Sequence, residues 1–79
     1  MIALKKVKST AVKAFGYDPA TRTLAVRFWA GHVLHYADVP QSVADKFEDH
    51  ESKGRAVGEL LRGKFEHSIV PDEQEEVGA

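Results

Sequence analysis

An alternation of side chains between Arg22 and Trp29 constrains the fold more than any other feature of this sequence. Leu24, Val26 and Phe28 fall on one face of the segment if its backbone is extended. A period of two is typical of a half-buried β-strand, whereas an amphipathic helix repeats every 3.6 residues, roughly. The chain is therefore expected to contain a sheet with one apolar face.

Two further extended segments flank this strand. Val12 to Tyr17 precedes it, and the two are separated by the turn signal Asp18 to Thr21, in which Asp can bond the following backbone and Pro presets φ. After Gly31, the pattern predicts another strand from His32 to Ala37. Together the three segments predict a three-stranded antiparallel meander.

The loop between the second and third strands decides which side chains share a face. A two-residue loop, Ala30 and Gly31, would mix polar and apolar side chains on both faces. A three-residue loop, residues 30–32, places five apolar side chains on one face: Leu24, Val26, Phe28, Leu34 and Tyr36. We therefore predict the longer loop, with Tyr36 in the core. The opposite face then holds Arg27, Trp29, Val33 and His35.

Helical spacing of apolar residues begins after Val39. Pro40 suits the first position of a helix, which we predict from Pro40 to His50. Ser52 can cap a second helix, which ends near Gly63. Phe65 to Val70 has room for a short C-terminal strand. The predicted fold class is α+β, with the meander packed against two short helices.

Length and composition limit the chain to one small domain. At 79 residues it cannot form a second core, and without cysteine it can form no disulfide framework. The first residues carry no apolar run of the length of a secretion signal or a membrane span, so we expect a cytoplasmic protein that makes no membrane contact. We predict a lead-in at residues 1–8, the domain at residues 9–70 and a disordered acidic tail at residues 71–79.

Charge is divided unequally along the chain. Residues 1–64 carry 11 basic and 7 acidic side chains, a net +4, whereas residues 65–79 carry 5 acidic and no basic ones, a net −5. Four basic side chains bracket the second predicted helix and, with Arg27, are candidates for contacts with phosphate groups: Lys53, Arg55, Arg62 and Lys64. The alternative is an ordinary solvated helix face.

Trp29 is the only tryptophan and the candidate for stacking on an unpaired base. On the polar face of a hairpin, with Arg27 and His35 nearby, its indole could meet a base while the cations meet phosphates. The alternative interpretations are that the ring closes the edge of a small core or that a helix covers this second face.

Catalysis and metal binding find little support in the sequence. The four histidines have no spacing typical of a structural metal site: His32, His35, His50 and His67. The serines lie in no nucleophile motif, and there is no glycine-rich phosphate loop. The carboxylates near the end of the first helix are interpreted as solvated. We therefore predict no enzyme activity, no cofactor and no metal.

An ordered series of residues resembles the KTSC domain family. The series comprises Ser9, Gly16-Tyr17-Asp18-Pro19, Thr23-Leu24, Gly31, Leu34-His35-Tyr36, Val39-Pro40, Ser52-Lys53-Gly54, Leu61-Arg62 and Phe65. The family's central Tyr-x-Tyr is Leu34-His35-Tyr36 here. This family occurs at the C-terminal end of some lysyl-tRNA synthetases and as small stand-alone bacterial proteins, and the resemblance implies a domain for which RNA binding has been suggested.

Two functions therefore remain open. In the first, a small non-enzymatic domain binds RNA or single-stranded nucleic acid through the basic second helix, Arg27 and Trp29, while the acidic tail competes for the same surface. In the second, the domain is a protein-protein interaction module whose partner contacts the Trp29 face of the sheet.

Overall fold

The computed structural model describes residues 2–71 and contains one five-stranded antiparallel sheet with two short helices. The strands follow chain order in the sheet: β1 (Lys5–Lys6), β2 (Val12–Asp18), β3 (Thr23–Phe28), β4 (His32–Tyr36) and β5 (His67–Pro71). The helices are α1 (Gln41–Asp49) and α2 (Lys53–Ala56), and a π-helical turn (Val57–Leu61) continues α2. The α+β class and the meander predicted from the sequence are confirmed.

The two outer strands extend the predicted meander on both sides. β1 lies within the predicted lead-in and pairs Lys5 with Phe15 and Lys6 with Ala14. Two consecutive lysines have no strand periodicity, so this element depends on pairing with β2 rather than on its own pattern. β5 follows the predicted C-terminal strand with a shift toward the C-terminus. It includes Pro71, and the rest of the predicted acidic tail lies outside the described residues.

The predicted apolar face is confirmed, but the loop that sets the pairing is placed differently. Leu24 pairs with Tyr36 and Val26 with Leu34, so these side chains share one face of the sheet, as predicted. The loop consists of residues 29–31 rather than residues 30–32, because β3 ends at Phe28 and β4 begins at His32. Gly31 has a φ of 106°, a backbone conformation that suits glycine, and its N–H donates to the Phe28 carbonyl at 3.0 Å.

The helices cover this face and form the core with it. Pro40 is the N-cap of α1, which buries Ala44 and Phe47, and the Phe47 ring meets the Phe15 ring edge-on at a centroid distance of 5.0 Å. Buried members of the core cluster from both layers are Val12, Phe15, Leu24, Val26, Tyr36, Val39, Phe47, Ala56, Val57 and Leu61. The Tyr17 hydroxyl also donates to the Val39 carbonyl. In residues 2–71, no helix has the length and apolar character needed to cross a membrane.

The second helix begins at a serine cap and continues into a wider, π-helical turn. Ser52 caps α2, since its hydroxyl accepts a hydrogen bond from the Arg55 N–H at 3.4 Å. In the π-helical turn, the Arg62 N–H donates to the Val57 carbonyl at 2.8 Å, five residues back. Val57 and Leu61 are both buried. Gly63, with a φ of 76°, follows the turn, as predicted for a helix terminator.

The other face of the sheet is largely buried as well. Ala25 and Val33 are fully buried there, and Ala14 is nearly so. The backbone before β1 passes so close to Gly16 that a Cβ at this position would overlap the Ala3 carbonyl. The alternation pattern predicted Trp29 on the polar face of the sheet beside Arg27, and this is wrong in two respects: the face is largely buried, and Trp29 belongs to the loop.

Candidate nucleic-acid interface

Trp29 lies at the end of the β3–β4 hairpin and is 58% exposed. Its backbone N–H donates to the Ala11 carbonyl at 3.1 Å, and its indole Nε1–H donates to the Ser9 carbonyl at 3.0 Å. These two bonds hold the tryptophan against the segment that precedes β2. A large part of the ring nevertheless remains accessible to a ligand, with its orientation already set.

Lys13 supplies a positive charge beside this ring. Its ammonium nitrogen lies 5.2 Å from the centroid of the Trp29 ring, within the range of a cation–π interaction. The β2–β3 register shifts between Val12 and Ala14, and such irregularities change the direction of a side chain. Lys13 was not among the residues selected from the sequence. Its place depends on this shift, which the alternation pattern does not show.

The start of α2 approaches the same edge. A Cβ at Gly54 would lie 3.1 Å from the Ala11 Cβ, and Ala11 is the residue that accepts the Trp29 N–H. Arg55 follows Gly54 directly, and its side chain is 76% exposed with an ion pair to Glu59 at 3.4 Å. An exposed pair of this kind contributes little to stability, so the guanidinium can exchange it for a phosphate. We name Trp29, Lys13 and Arg55 the tryptophan edge.

Lys53 has a structural role at the end of α1. Its ammonium donates to the Glu48 carbonyl at 2.8 Å and to the His50 carbonyl at 2.6 Å. It also lies 5.9 Å from the centroid of the Phe15 ring. Carbonyl groups at a helix C-terminus lack partners within the helix, and a cation satisfies them well. Lys53 is therefore engaged by its own chain.

Arg62 and Lys64 lie toward the other end of the hairpin. Lys64 lines a small cavity of about 220 Å³ together with Ala37 and Asp38, which follow β4. Arg62 is near Tyr36, the last residue of β4, whereas the Trp29 loop precedes the first residue of that strand. The start of α2, which carries Arg55, thus approaches Ala11 beside the Trp29 loop, whereas Arg62 and Lys64 lie toward the opposite end of β4. Arg27 is half-buried on the second face of the sheet.

Among residues 2–71, the pKa values of Tyr36 and Glu59 are shifted, and neither residue belongs to the tryptophan edge. Burial raises the pKa of the Tyr36 hydroxyl, and the nearby Arg62 guanidinium offsets part of this rise. A hydrogen bond with His50, at 2.9 Å, is the chief cause that lowers the pKa of the Glu59 carboxyl. Arg55 adds a smaller lowering contribution.

The histidines are distributed over separate contacts. His32 stacks on Phe28 with 5.0 Å between ring centroids, and His67 lies 5.6 Å from the Tyr36 ring. Within residues 2–71, there is no group of three or more His, Cys, Asp or Glu side chains that could hold a metal ion. A cleft of about 410 Å³ between α1 and the first two strands contains none of the residues selected from the sequence; the Lys5–Glu48 ion pair lies at its wall.

Comparison with known proteins identifies the domain. The family profile described as KTSC domain matches residues 8–65, most of the chain. The chain belongs to the KTSC domain family. The matched region begins before β2 and ends after the π-helical turn, so it includes all three residues of the tryptophan edge and excludes β5.

Relatives of this KTSC domain are both small proteins and parts of large ones. A protein of Tsukamurella paurometabola is 40% identical over 62 residues, which is 78% of this chain and 92% of the relative. The lysine–tRNA ligase of Nostoc punctiforme is 36% identical over 62 residues, 78% of this chain but only 11% of the ligase. The crystal structure of a KTSC domain protein from Yersinia pestis superposes with a TM-score of 0.84 at 28% identity, covering 89% of this chain and 99% of that one.

Proposed function

We propose that this KTSC domain is a non-enzymatic module that binds single-stranded nucleic acid, RNA above all, at the tryptophan edge. The observation that carries the proposal is a largely exposed indole, held by the backbone, with an ammonium group 5.2 Å from its ring. Trp29 stacks on an unpaired base, while Lys13 and Arg55 bind the flanking phosphates.

The physical chemistry of the edge supports this assignment. Stacking of a base on an aromatic side chain is worth about 1–3 kcal/mol and tolerates any base. The bond from the Trp29 indole to the Ser9 carbonyl orients the ring before a ligand arrives, so little side-chain entropy is lost on binding. Lys13 and Arg55 each add one phosphate contact, which makes the affinity dependent on salt.

The relatives support a nucleic-acid setting. Several matched proteins are lysine–tRNA ligases, whose name places them with tRNA, and the shared region is about a tenth of each. The same relationship supports the cytoplasmic location that we expect from the sequence. An appended domain with one stacking residue and two cations suits weak contact with a single-stranded part of an RNA, in the micromolar range or weaker.

The proposed site is narrower than the set of basic residues selected from the sequence. Lys53 is engaged at the end of α1, and Arg27 is half-buried on the second face. Arg62 and Lys64 lie toward the opposite end of β4. These two provide a net-charge control for the tryptophan edge within the same domain.

A second candidate function is supported by the same ring. Tryptophan is enriched among the residues that carry most of the binding energy of protein interfaces, so a protein partner could bind the exposed ring of Trp29. The two candidates differ in their response to salt, because phosphate contacts release counterions and apolar contacts do not.

The experiment is a titration of the full chain with a single-stranded RNA oligomer, followed by the fluorescence of Trp29, the sole tryptophan. Stacking is expected to quench the fluorescence, and the affinity is expected to fall with salt with a logarithmic slope of about −0.7 for each phosphate contact. Lys13→Glu and Arg55→Glu should each weaken binding, whereas Arg62→Glu, with the same change in net charge, should have a much smaller effect.

Equal loss of affinity in all three variants would show that only total charge matters, and the proposed site would then be wrong. Absence of quenching at low salt would contradict nucleic-acid binding at Trp29 altogether. Binding of a protein partner that persists at high salt and is lost in Trp29→Ala would favour the second candidate function instead.

A further inference from the structure

The segment between β1 and β2, residues 7–11, has no helix or strand of its own but holds Trp29 through its backbone. The Ser9 carbonyl accepts the indole N–H of Trp29 at 3.0 Å, and the Ala11 carbonyl accepts its backbone N–H at 3.1 Å. Lys13, whose ammonium lies beside the Trp29 ring, follows this segment by two residues. The interactions that fix the backbone here therefore also fix the geometry of the tryptophan edge.

The Ser9 hydroxyl closes a turn in this segment. Its oxygen accepts hydrogen bonds from the Ala11 N–H at 3.2 Å and from the Val12 N–H at 3.1 Å. A serine that accepts from nearby N–H groups holds the backbone in a turn where no helix or strand bonds are available. Val12, the last residue of this turn, is fully buried in the core cluster, so the turn is anchored at that end. One side chain thus sets the path of the chain into β2.

Lys13 begins where this turn ends. The pairing of β2 with β3 shifts between Val12 and Ala14, and Lys13 is the residue inside the shift. In regular pairing the side-chain directions alternate strictly, whereas at a shift they depend on the local backbone. The Lys13 carbonyl also accepts from the Val7 N–H at 3.2 Å, which ties it to the start of the segment. The direction of the Lys13 side chain therefore depends on the turn that precedes it.

We infer that Ser9 is a positioning residue of the tryptophan edge, whose hydroxyl directs the Lys13 ammonium to the phosphate beside a base stacked on Trp29. This role depends on the proposed function, since it is a role in nucleic-acid binding. Without the hydroxyl, the Ala11 and Val12 N–H groups lose an acceptor, and the turn is free to adopt other conformations. The Trp29 backbone keeps its bond to the Ala11 carbonyl, so stacking continues and the loss falls on the phosphate contact of Lys13.

Titrations with a single-stranded RNA oligomer over a range of salt concentrations test this role in Ser9→Ala and Ser9→Thr. Loss of one phosphate contact makes the slope of log affinity against log salt less steep by about 0.7, and a contact with that slope contributes up to about eightfold in affinity at about 50 mM salt. Ser9→Ala should show both changes, whereas Ser9→Thr, which keeps the hydroxyl, should match the wild type. Circular dichroism at the titration temperature checks that each variant is folded.

Thr21→Val is the matched structural control. The Thr21 hydroxyl donates to the Asp18 carboxylate at 3.1 Å, in the turn before β3, whereas Trp29 follows β3 at its other end. Like Ser9→Ala, this substitution removes a turn hydroxyl and leaves the net charge unchanged. Thr21→Val should keep the affinity and the salt slope of the wild type, because a loss of turn stability alone moves neither.

A double-mutant cycle with Lys13→Gln identifies the group through which Ser9 acts. Ser9→Ala should weaken binding in the wild-type chain and have little further effect in the Lys13→Gln chain. Equal losses in both backgrounds, an unchanged salt slope in Ser9→Ala, or an equal defect in Ser9→Thr would overturn the positioning role while RNA binding itself stands. If the wild-type chain does not bind the RNA oligomer, the proposed function fails and this role fails with it.

Discussion

Replacement of Tyr36 and of Trp29 by alanine should separate the stability of this KTSC domain from its binding. Tyr36 is 2% exposed and packs in the core cluster. Truncation of a buried aromatic ring costs about 3–5 kcal/mol, and a domain of this size has a total stability of only about 5 kcal/mol. We therefore expect Tyr36→Ala to be largely unfolded near physiological temperature.

The cost of Trp29→Ala follows from its partial burial. Trp29 is 58% exposed. A fully buried tryptophan side chain removes up to about 250 Å² from water, so the buried part of Trp29 corresponds to roughly 100 Å². At about 25 cal/mol per Å², and after allowance for area that is already buried in the unfolded chain, its loss costs about 2 kcal/mol. This exceeds the value of about 1 kcal/mol or less that an open surface position would give, because the residue is partly buried.

The assay combines thermal melts with RNA titration of the same variants. Trp29→Ala should remain folded and lose about 5- to 150-fold in affinity, which corresponds to the stacking energy of one base. Trp29→Phe is the matched control: it keeps a stacking ring and loses the bond to Ser9, so it should be less stable than wild type yet bind nearly as well. The reasoning is refuted if Trp29→Ala melts below Tyr36→Ala, or if it binds RNA with unchanged affinity.

Three further predictions concern the same fold. Gly16→Ala should lower the free energy of unfolding by about 1–3 kcal/mol in a thermal melt, because the added methyl group overlaps the segment before β1. In a truncated chain that begins at Lys5 the substitution should have no such cost, and a cost that persists there would contradict the overlap. The contribution of Tyr36 to stability should be constant up to about pH 10 and fall above it, because the raised pKa of Tyr36 means that the folded state holds this proton more tightly than the unfolded state does; Tyr36→Phe should reduce that fall, and an identical pH profile in this range would argue against this cause. Lys53→Met should lower the melting temperature through loss of the bonds to the end of α1 and leave RNA affinity within about twofold; a large loss of affinity would place Lys53 in the binding site.

Periodicity predicted the centre of the fold well because burial there is set by side-chain pattern. The shared face of Leu24, Val26, Leu34 and Tyr36 follows from alternation alone, and the structure confirms it. The exact loop did not follow, because shifting the pairing by two residues leaves every side chain on the same face. β1 could not be predicted either, because its two lysines have no alternating pattern and the strand depends on pairing with β2.

The candidate site was less accessible to sequence reasoning than the fold. Trp29 could be selected as the only tryptophan, but its fixed position depends on carbonyl groups of Ser9 and Ala11, distant in sequence. Lys13 depends on an irregularity in the β2–β3 pairing. A count of charges cannot distinguish Lys53, which binds the end of α1, from Arg55, which is exposed.

The π-helical turn has a consequence for length variation among KTSC domains. The turn contains one residue more than an α-helical turn, and the residues at its two ends, Val57 and Leu61, are both buried. Gly58, within the turn, is exposed, and a Cβ there would meet no atom within 4 Å. Deletion of Gly58 should therefore convert the turn to regular α-helix, with Val57 and Leu61 still on one face at a spacing of three. Relatives are expected to gain or lose a single residue at this point more readily than elsewhere in the helix, so an alignment gap here would indicate a change of helix type rather than a change of fold.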